Sequence, residues 1–261
     1  MKALSIAATG MLAQQLNVEV ISNNIANMNT TAYKRQRAEF QDLLYQNIER
    51  AGAASSDAGT IVPTGIQIGV GVRTAGVYRV TSQGELVNSD TALDIAINGK
   101  GYFRVQLPNG DDSYTRAGSF QLSPQGEIVT SEGYTVSPGI TIPQEAIDIT
   151  INANGEVLVS IEGQLEPQNV GQFEVVTFPN NAGLQATGEN LLLETPASGS
   201  AVIGTPNTPG FGGIVQGYLE RSNVNSVTEI TQLIAAQRAY EMNSKVISAA
   251  DEMLSVTSNL R

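Results

Sequence analysis

A seven-residue apolar repeat runs through both ends of this 261-residue chain and is absent from the long stretch between them. At the N-terminus Leu4, Met11, Val18 and Ile25 recur every seven residues, with Ala7, Ile21 and Met28 one turn further on. That spacing puts an apolar stripe along one side of a helix, at the pitch of a coiled-coil seam. Gln14 interrupts the stripe, and Gly10 costs the helix about 1 kcal/mol relative to alanine. At the other end Leu233, Tyr240, Ile247 and Leu254 repeat in the same way, joined by Ile230. Ser226 and Glu229 read as an S-x-x-E capping box and predict a helix from Val227 to about Asn259. Glu241 and Lys245 add an i,i+4 pair worth a few tenths of a kcal/mol at most.

A helix at each extreme end suggests that the first and last segments pair as a stalk. One seam hides only part of each helix, so the remaining apolar surface calls for another molecule; the alternative is that both stripes pack on the chain's own core. The middle has a period of two. Ile147, Ile149 and Ile151 alternate into Asn152-Ala153-Asn154-Gly155, and Val157, Val159 and Ile161 alternate out of it, which predicts a hairpin. A second hairpin is expected where Tyr102 to Leu107 enters Pro108-Asn109-Gly110-Asp111 and leaves through Tyr114 to Phe120. Further strand-like runs are Val70 to Val80, Leu93 to Ile97, Glu127 to Thr130, Gln172 to Phe178 and Asn190 to Glu194. Short strands without intervening helical patterns mean an antiparallel β domain, a sandwich or a distorted barrel.

The expected fold class is therefore α+β, with N- and C-terminal helices pairing as a coiled-coil stalk and a central antiparallel β domain inserted between them. Residues 1-33 and 225-261 form the helical part, 34-72 and 213-224 a connecting extended or β region, and 73-212 the β domain. The small, polar run Ala51 to Thr60 reads as a mobile or extended connector, and Gly199 to Gly213 as the matching return linker.

Composition narrows the chemistry. The chain holds 25 Asp and Glu against 14 Lys and Arg, a formal charge of -11, so its average surface repels nucleic-acid phosphates and anionic lipid. It has no cysteine and no histidine, which removes disulfides, thiolate and histidine-based zinc sites, and Ser-His-Asp or Cys-His catalysis. The N-terminal segment lacks the unbroken apolar core of a cleaved signal, and no later stretch is long and apolar enough to span a bilayer. None of the glycine groups, including Gly65, Gly69, Gly71 and Gly99-Lys100-Gly101, feeds a helix N-terminus as a phosphate loop must, so strand bends and turns are expected there. Asp94, Asp111, Asp112 and Asp148 are the candidates for a glycosidase-like carboxylate pair. Asp111 and Asp112 fit a turn better, where a weak calcium site is conceivable without the EF-hand spacing. Lys34, Arg35 and Arg37 form a basic cluster, read either as a solvated face or as a contact with the acidic body of a neighbour.

Ile21-Ser22-Asn23-Asn24-Ile25-Ala26-Asn27-Met28-Asn29-Thr30 resembles the N-terminal signature of the bacterial flagellar basal-body rod and hook family. The signature continues as Thr-x-Gly-Phe-Lys; here Thr30-Thr31-Ala32-Tyr33-Lys34 keeps the aromatic and the lysine and replaces the glycine with Ala32. Leu219 to Asn225 and Gln237 to Lys245 are similar to the family's C-terminal signature. Leu93 to Phe103 and Tyr114 to Phe120 are similar to its β-domain motifs. In length and connector the chain is most like a distal rod subunit. The resemblance implies a structural, non-enzymatic subunit with no cofactor and no metal, exported through the flagellum's own type III channel without a cleaved signal. It implies self-association into a hollow helical rod that crosses the periplasm. It also implies contact with other rod proteins, with hook or hook-junction subunits and with the surrounding periplasmic and outer-membrane rings. No nucleic acid and no membrane insertion are expected. Open helical polymers need heterologous contacts that do not close. The assembly residues expected to supply them are Leu4, Met11, Val18, Ile21, Ile25, Ile230, Leu233, Tyr240, Ile247 and Leu254. The Asn23, Asn24 and Asn27 amides either fix helix register or cap the helix end.

Overall fold

The computed structural model describes residues 2–49, 64–164 and 166–259, so the run Ala51 to Thr60 lies outside the described residues. A helix at each end, α1 (Lys2–Ala26) and α2 (Ser226–Asn259), flanks a set of short antiparallel strands. The described residues form two compact units. One contains Met1–Ala26, Gln36–Tyr78 and Asn225–Arg261; the other contains Asn27–Arg35 and Arg79–Val224.

In the first unit α1 and α2 pair closely, and the strand Gln36–Asp42 pairs with Val72–Arg79. A second ribbon, Tyr45–Glu49 with Ile66–Gly69, leaves Leu44, Tyr45, Ile48, Ile66 and Ile68 exposed. The first ribbon meets α1 at Gly71. Its φ of +128° is one that glycine adopts freely, and a Cβ there would lie 2.2 Å from Thr9 Oγ1. The Thr9 hydroxyl instead accepts from Val72 N at 3.3 Å.

The second unit is the β body. Both hairpins read from the sequence are present: Ala146–Ile151 pairs with Glu156–Ile161 in the register Ile149 to Val159, and Tyr102–Gln106 pairs with Asp112–Thr115, although the second returns earlier than expected and Phe120 opens a separate strand, Phe120–Leu122, paired with Ile128–Thr130. The main sheet runs 185–188, 191–193, 112–115, 102–106, 135–136, 128–130, 120–122. Beside it, Val175–Thr177 pairs with Tyr102 and Phe103 on one side and with Val202–Gly204 on the other. Gly199 to Gly213 is therefore not a bare linker. Val202 and Ile203 turn it into an edge strand whose backbone bonds satisfy groups that a free tether would leave to water.

Alternation sends Phe103, Val105 and Val175 to one face of this sheet and Tyr102 and Val176 to the other. On the first face Phe103, Phe120 and Phe173 meet, the first two edge to face at 5.1 Å, among Ile95, Ile97, Ile128, Val157 and Val159. On the second, Tyr114 sits 4.8 Å from Phe178, with Tyr102 and Leu184 beside them. The sheet is thus buried on both faces around the 102–106 strand, which fixes its register.

Candidate assembly site

Two residue pairs fix how the terminal helices meet. A Cβ on Gly10 would stand 3.0 Å from Asn243 Nδ2, and Asn24 Nδ2 donates to Glu229 Oε2 at 3.0 Å. Fourteen residues forward along α1 correspond to fourteen back along α2, so the helices are antiparallel and step by heptads. The same register sets Asn17 opposite Ala236. The seam therefore runs along Gly10, Asn17 and Asn24 on one side and Glu229, Ala236, Asn243 and Ala250 on the other. These are small or polar residues at intervals of seven, which let the backbones approach closely.

Most of the expected assembly residues flank this seam: Leu4, Met11, Val18, Ile25, Leu233 and Ile247 are half-buried, and Ile230, Tyr240 and Leu254 are exposed. Of the expected set only Ile21 and Asn24 are buried; Asn23 is exposed and Asn27 half-buried. The reason is geometric. At 100° per residue, Leu233, Tyr240, Ile247 and Leu254 lie about 40° to one side of the seam line on α2. Val246 and Met253 lie about 60° to the other side, with Met242 and Val256 further round. The helix is apolar over a wide arc, and α1 covers only its middle. Leu12 at 67 % and Met242 at 61 % exposure are large apolar side chains left in water by the single chain.

The start of α2 also differs from the expected capping box. Asn225 Oδ1 accepts from Thr228 N at 3.1 Å, so the cap lies one residue before Ser226. The carboxylate of Glu229, 1 % exposed, accepts from Asn24. Asn24 in turn brackets Gln36, accepting from its N–H and donating to its C=O, both at 2.8 Å. One buried amide thereby ties α1, α2 and the first strand together.

A second cluster gathers three residues from three separate sequence motifs. Glu220, 2 % exposed, accepts from Arg116 Nε at 2.7 Å, from Gly84 N at 2.9 Å and from Lys34 Nζ. Arg116 Nη2 also donates to the carbonyls of Ile97 at 2.8 Å and Gly99 at 2.6 Å. Burial is the largest influence on both Lys34 and Glu220, and it disfavours either charge. For Lys34 it prevails and lowers the pKa below the usual lysine range despite Glu220. For Glu220 it pushes upward, but the Arg116 charge, the Lys34 hydrogen bond and the Gly84 N–H outweigh it and hold the carboxyl below its usual range. Lys34 is thus internal to the β body and not part of a solvated basic face; Arg37 is exposed. Ala32 precedes this cluster with φ +57° and donates its N–H to the Glu220 carbonyl at 2.7 Å. The turn that wants glycine is therefore built with alanine.

The four acidic candidates are engaged locally. Asp94 is buried and accepts from Ser89; Asp111 is bound by Asn109 in its turn; Asp112 faces Arg104 at 3.5 Å; Asp148 Oδ1 accepts from the next backbone N–H. No group of three or more carboxylates placed to hold a metal occurs among the described residues. No helix is long and apolar enough to cross a membrane, again among the described residues.

Sequence reasoning missed the small-residue seam and the Lys34–Glu220–Arg116 cluster. The signal for the first was present, since Gly10, Asn17 and Asn24 are themselves spaced by seven, but a search for large apolar residues passes over it. The second had no local signal, because its members are 82 and more positions apart.

Paired terminal helices with uncovered apolar flanks, joined to an inserted β body, define a subunit of an axial assembly. Comparison with known proteins agrees along the chain. The family described as "Flagella basal body rod protein" matches residues 4–34, "Flagellar hook protein FlgE/F/G D1 domain" matches 96–159, and "Flagellar basal body rod FlgEFG protein C-terminal" matches 215–260. The chain is 62% identical over 261 residues to the flagellar basal-body rod protein FlgG of Caulobacter vibrioides, covering 100% of each. It is 51% identical over 258 residues to that of Agrobacterium fabrum, covering 99% of this chain and 98% of the relative. Against that of Bacillus subtilis it is 36% identical over 266 residues, covering 100% and 99%. The chain belongs to the flagellar basal-body rod protein family.

Proposed function

We propose that this chain is the subunit of the distal rod, polymerising through its terminal helices into a hollow helical shaft that transmits torque from motor to hook. The observation that carries the reading is the pair of apolar flanks on α2, one on each side of the seam closed by α1. Two different uncovered flanks on one helix suit neighbours on two sides, which is the heterologous contact an open helical polymer requires. Asn24 and Glu229 serve as a register pin, since a buried polar pair in an otherwise sliding seam penalises every other alignment. The role is mechanical and not catalytic, and the chain leaves through the flagellar channel with its N-terminal helix retained.

The domain match at 96–159 is shared by name with hook proteins, which favours a hook or proximal-rod sibling as the second reading. Full-length identity to rod proteins outweighs it. Locating the protein along purified basal bodies separates the two. The assembly reading is tested with Tyr240→Asp and Met242→Asp in the full chain. Each is expected to keep the far-ultraviolet circular dichroism and the melting temperature of the β body while abolishing filament formation. Normal rods from the double variant would end the proposal.

A further inference from the structure

A cleft of about 240 Å³ opens within the β body beside the buried Lys34–Glu220–Arg116 cluster. Lys34, Lys100, Tyr102, Arg116 and Asn181 stand on its walls. Three cations and the single carboxylate of Glu220 leave two positive charges uncompensated, in a chain whose net charge is -11. The donors are only partly used. Lys34 Nζ gives two of its three N–H groups, to the Ser82 carbonyl at 3.0 Å and to Glu220. Lys100 is exposed and forms no ion pair among the described residues. Tyr102, its ring buried, makes no hydroxyl hydrogen bond among the described residues. Asn181 also lines the cleft, and its buried side-chain oxygen is an acceptor without a partner among the described residues, so the anion-binding donors come from the cationic side. Buried or half-buried cations facing a cleft with donors to spare are stabilised by an anion placed between them, and charge-assisted bonds to oxygen are the stronger kind.

We propose that this cleft binds an oxyanion, a carboxylate or phosphate group held by Lys34, Lys100 and the Tyr102 hydroxyl. Two sources share that chemistry: a carboxylate side chain of a second copy of this chain, and free phosphate. Lys100 closes the cleft from the exposed side, Lys34 offers the third N–H that Ser82 and Glu220 leave unused, and Arg116 stays committed to Glu220 and the neighbouring carbonyls. The nearby glycines shape the turn through Lys100, with φ of +114° at Gly99 and +137° at Gly101.

The test uses the full chain, below the concentration at which it assembles, titrated with inorganic phosphate at ionic strength held constant with chloride. Saturable changes in the amide resonances of Lys100 and Gly101 are expected. Lys100→Glu should weaken binding by about tenfold, which corresponds to one close charge-assisted contact. That residue lies outside the buried cluster, and an unchanged melting temperature verifies the fold. In the second arm the critical concentration for assembly of the Lys100→Glu chain is compared with that of the unsubstituted chain. A rise identifies the oxyanion as a neighbour's carboxylate, whether or not free phosphate binds; phosphate binding with unchanged assembly identifies the free ion. Phosphate responses no larger than those to chloride, together with unchanged assembly, would overturn the proposal. So would phosphate binding that Lys100→Glu leaves untouched, since the ion would then sit elsewhere. The phosphate arm does not need polymerisation, so its failure is distinguishable from failure of the rod reading.

Discussion

Glu220→Gln should be the most informative single substitution in the β body. The replacement keeps the volume and removes one negative charge from a site where Arg116 Nε at 2.7 Å, Lys34 Nζ and Gly84 N at 2.9 Å converge, with Glu220 2 % exposed. The amide oxygen can serve one of these donors, but its N–H₂ group then faces cationic N–H groups. Leaving buried charges without their partner costs about 3–5 kcal/mol, against about 0–1 kcal/mol for an exposed pair. In a body of roughly this size each kcal/mol moves the transition by about 2–4 °C, so the melting temperature should fall by about 6–20 °C. Calorimetry of the full chain measures this. The pH dependence carries the sign. The carboxyl is held below its usual range in the folded chain, so its contribution is complete above the unfolded-state glutamate pKa. It is lost as pH falls through the lower folded-state value. The gap between native and Gln chains should therefore be full at neutral pH and close in strong acid. In an Arg116→Met background the same substitution should cost less, since the partners are coupled. A fall below about 1 °C, or equal costs in both backgrounds, would refute the account.

Ala32→Gly should stabilise the chain by about 0.5–1 kcal/mol, because left-handed alanine costs about 1–2 kcal/mol and glycine's unfolded freedom returns about half; urea unfolding checks it, and a loss of stability would contradict the turn geometry. Gly10→Leu should push Asn243 aside, cost about 1–3 kcal/mol and block assembly, measured by helix melting and pelleting. Asn24→Leu strands the Gln36 backbone groups and should cost about 2–4 kcal/mol, with protection from amide exchange falling at Gln36 and at the start of α2 together. Unchanged exchange at either place would remove the pinning role.

Periodicity alone determined a good deal. Heptads at both ends required helices, and alternation around Asn154-Gly155 and Asn109-Gly110 placed two hairpins, because local backbone geometry repeats and burial follows it. The signature segments carried the family. Periodicity did not say which side of a wide apolar arc faces the partner helix. Gly10, Asn17 and Ala236 won that position because small residues permit close approach along the whole seam, and this put Tyr240 and Leu254 in solvent. Nor could any local pattern show that Val202 and Ile203 join a sheet edge, since their partners Thr177 and Val176 gain the bonds only after the chain returns from 25 and 27 positions away. The meeting of Lys34, Arg116 and Glu220 was likewise decided in three dimensions: a buried charge is tolerable only where its counter-charges converge, and convergence is a property of the folded path and not of spacing along it.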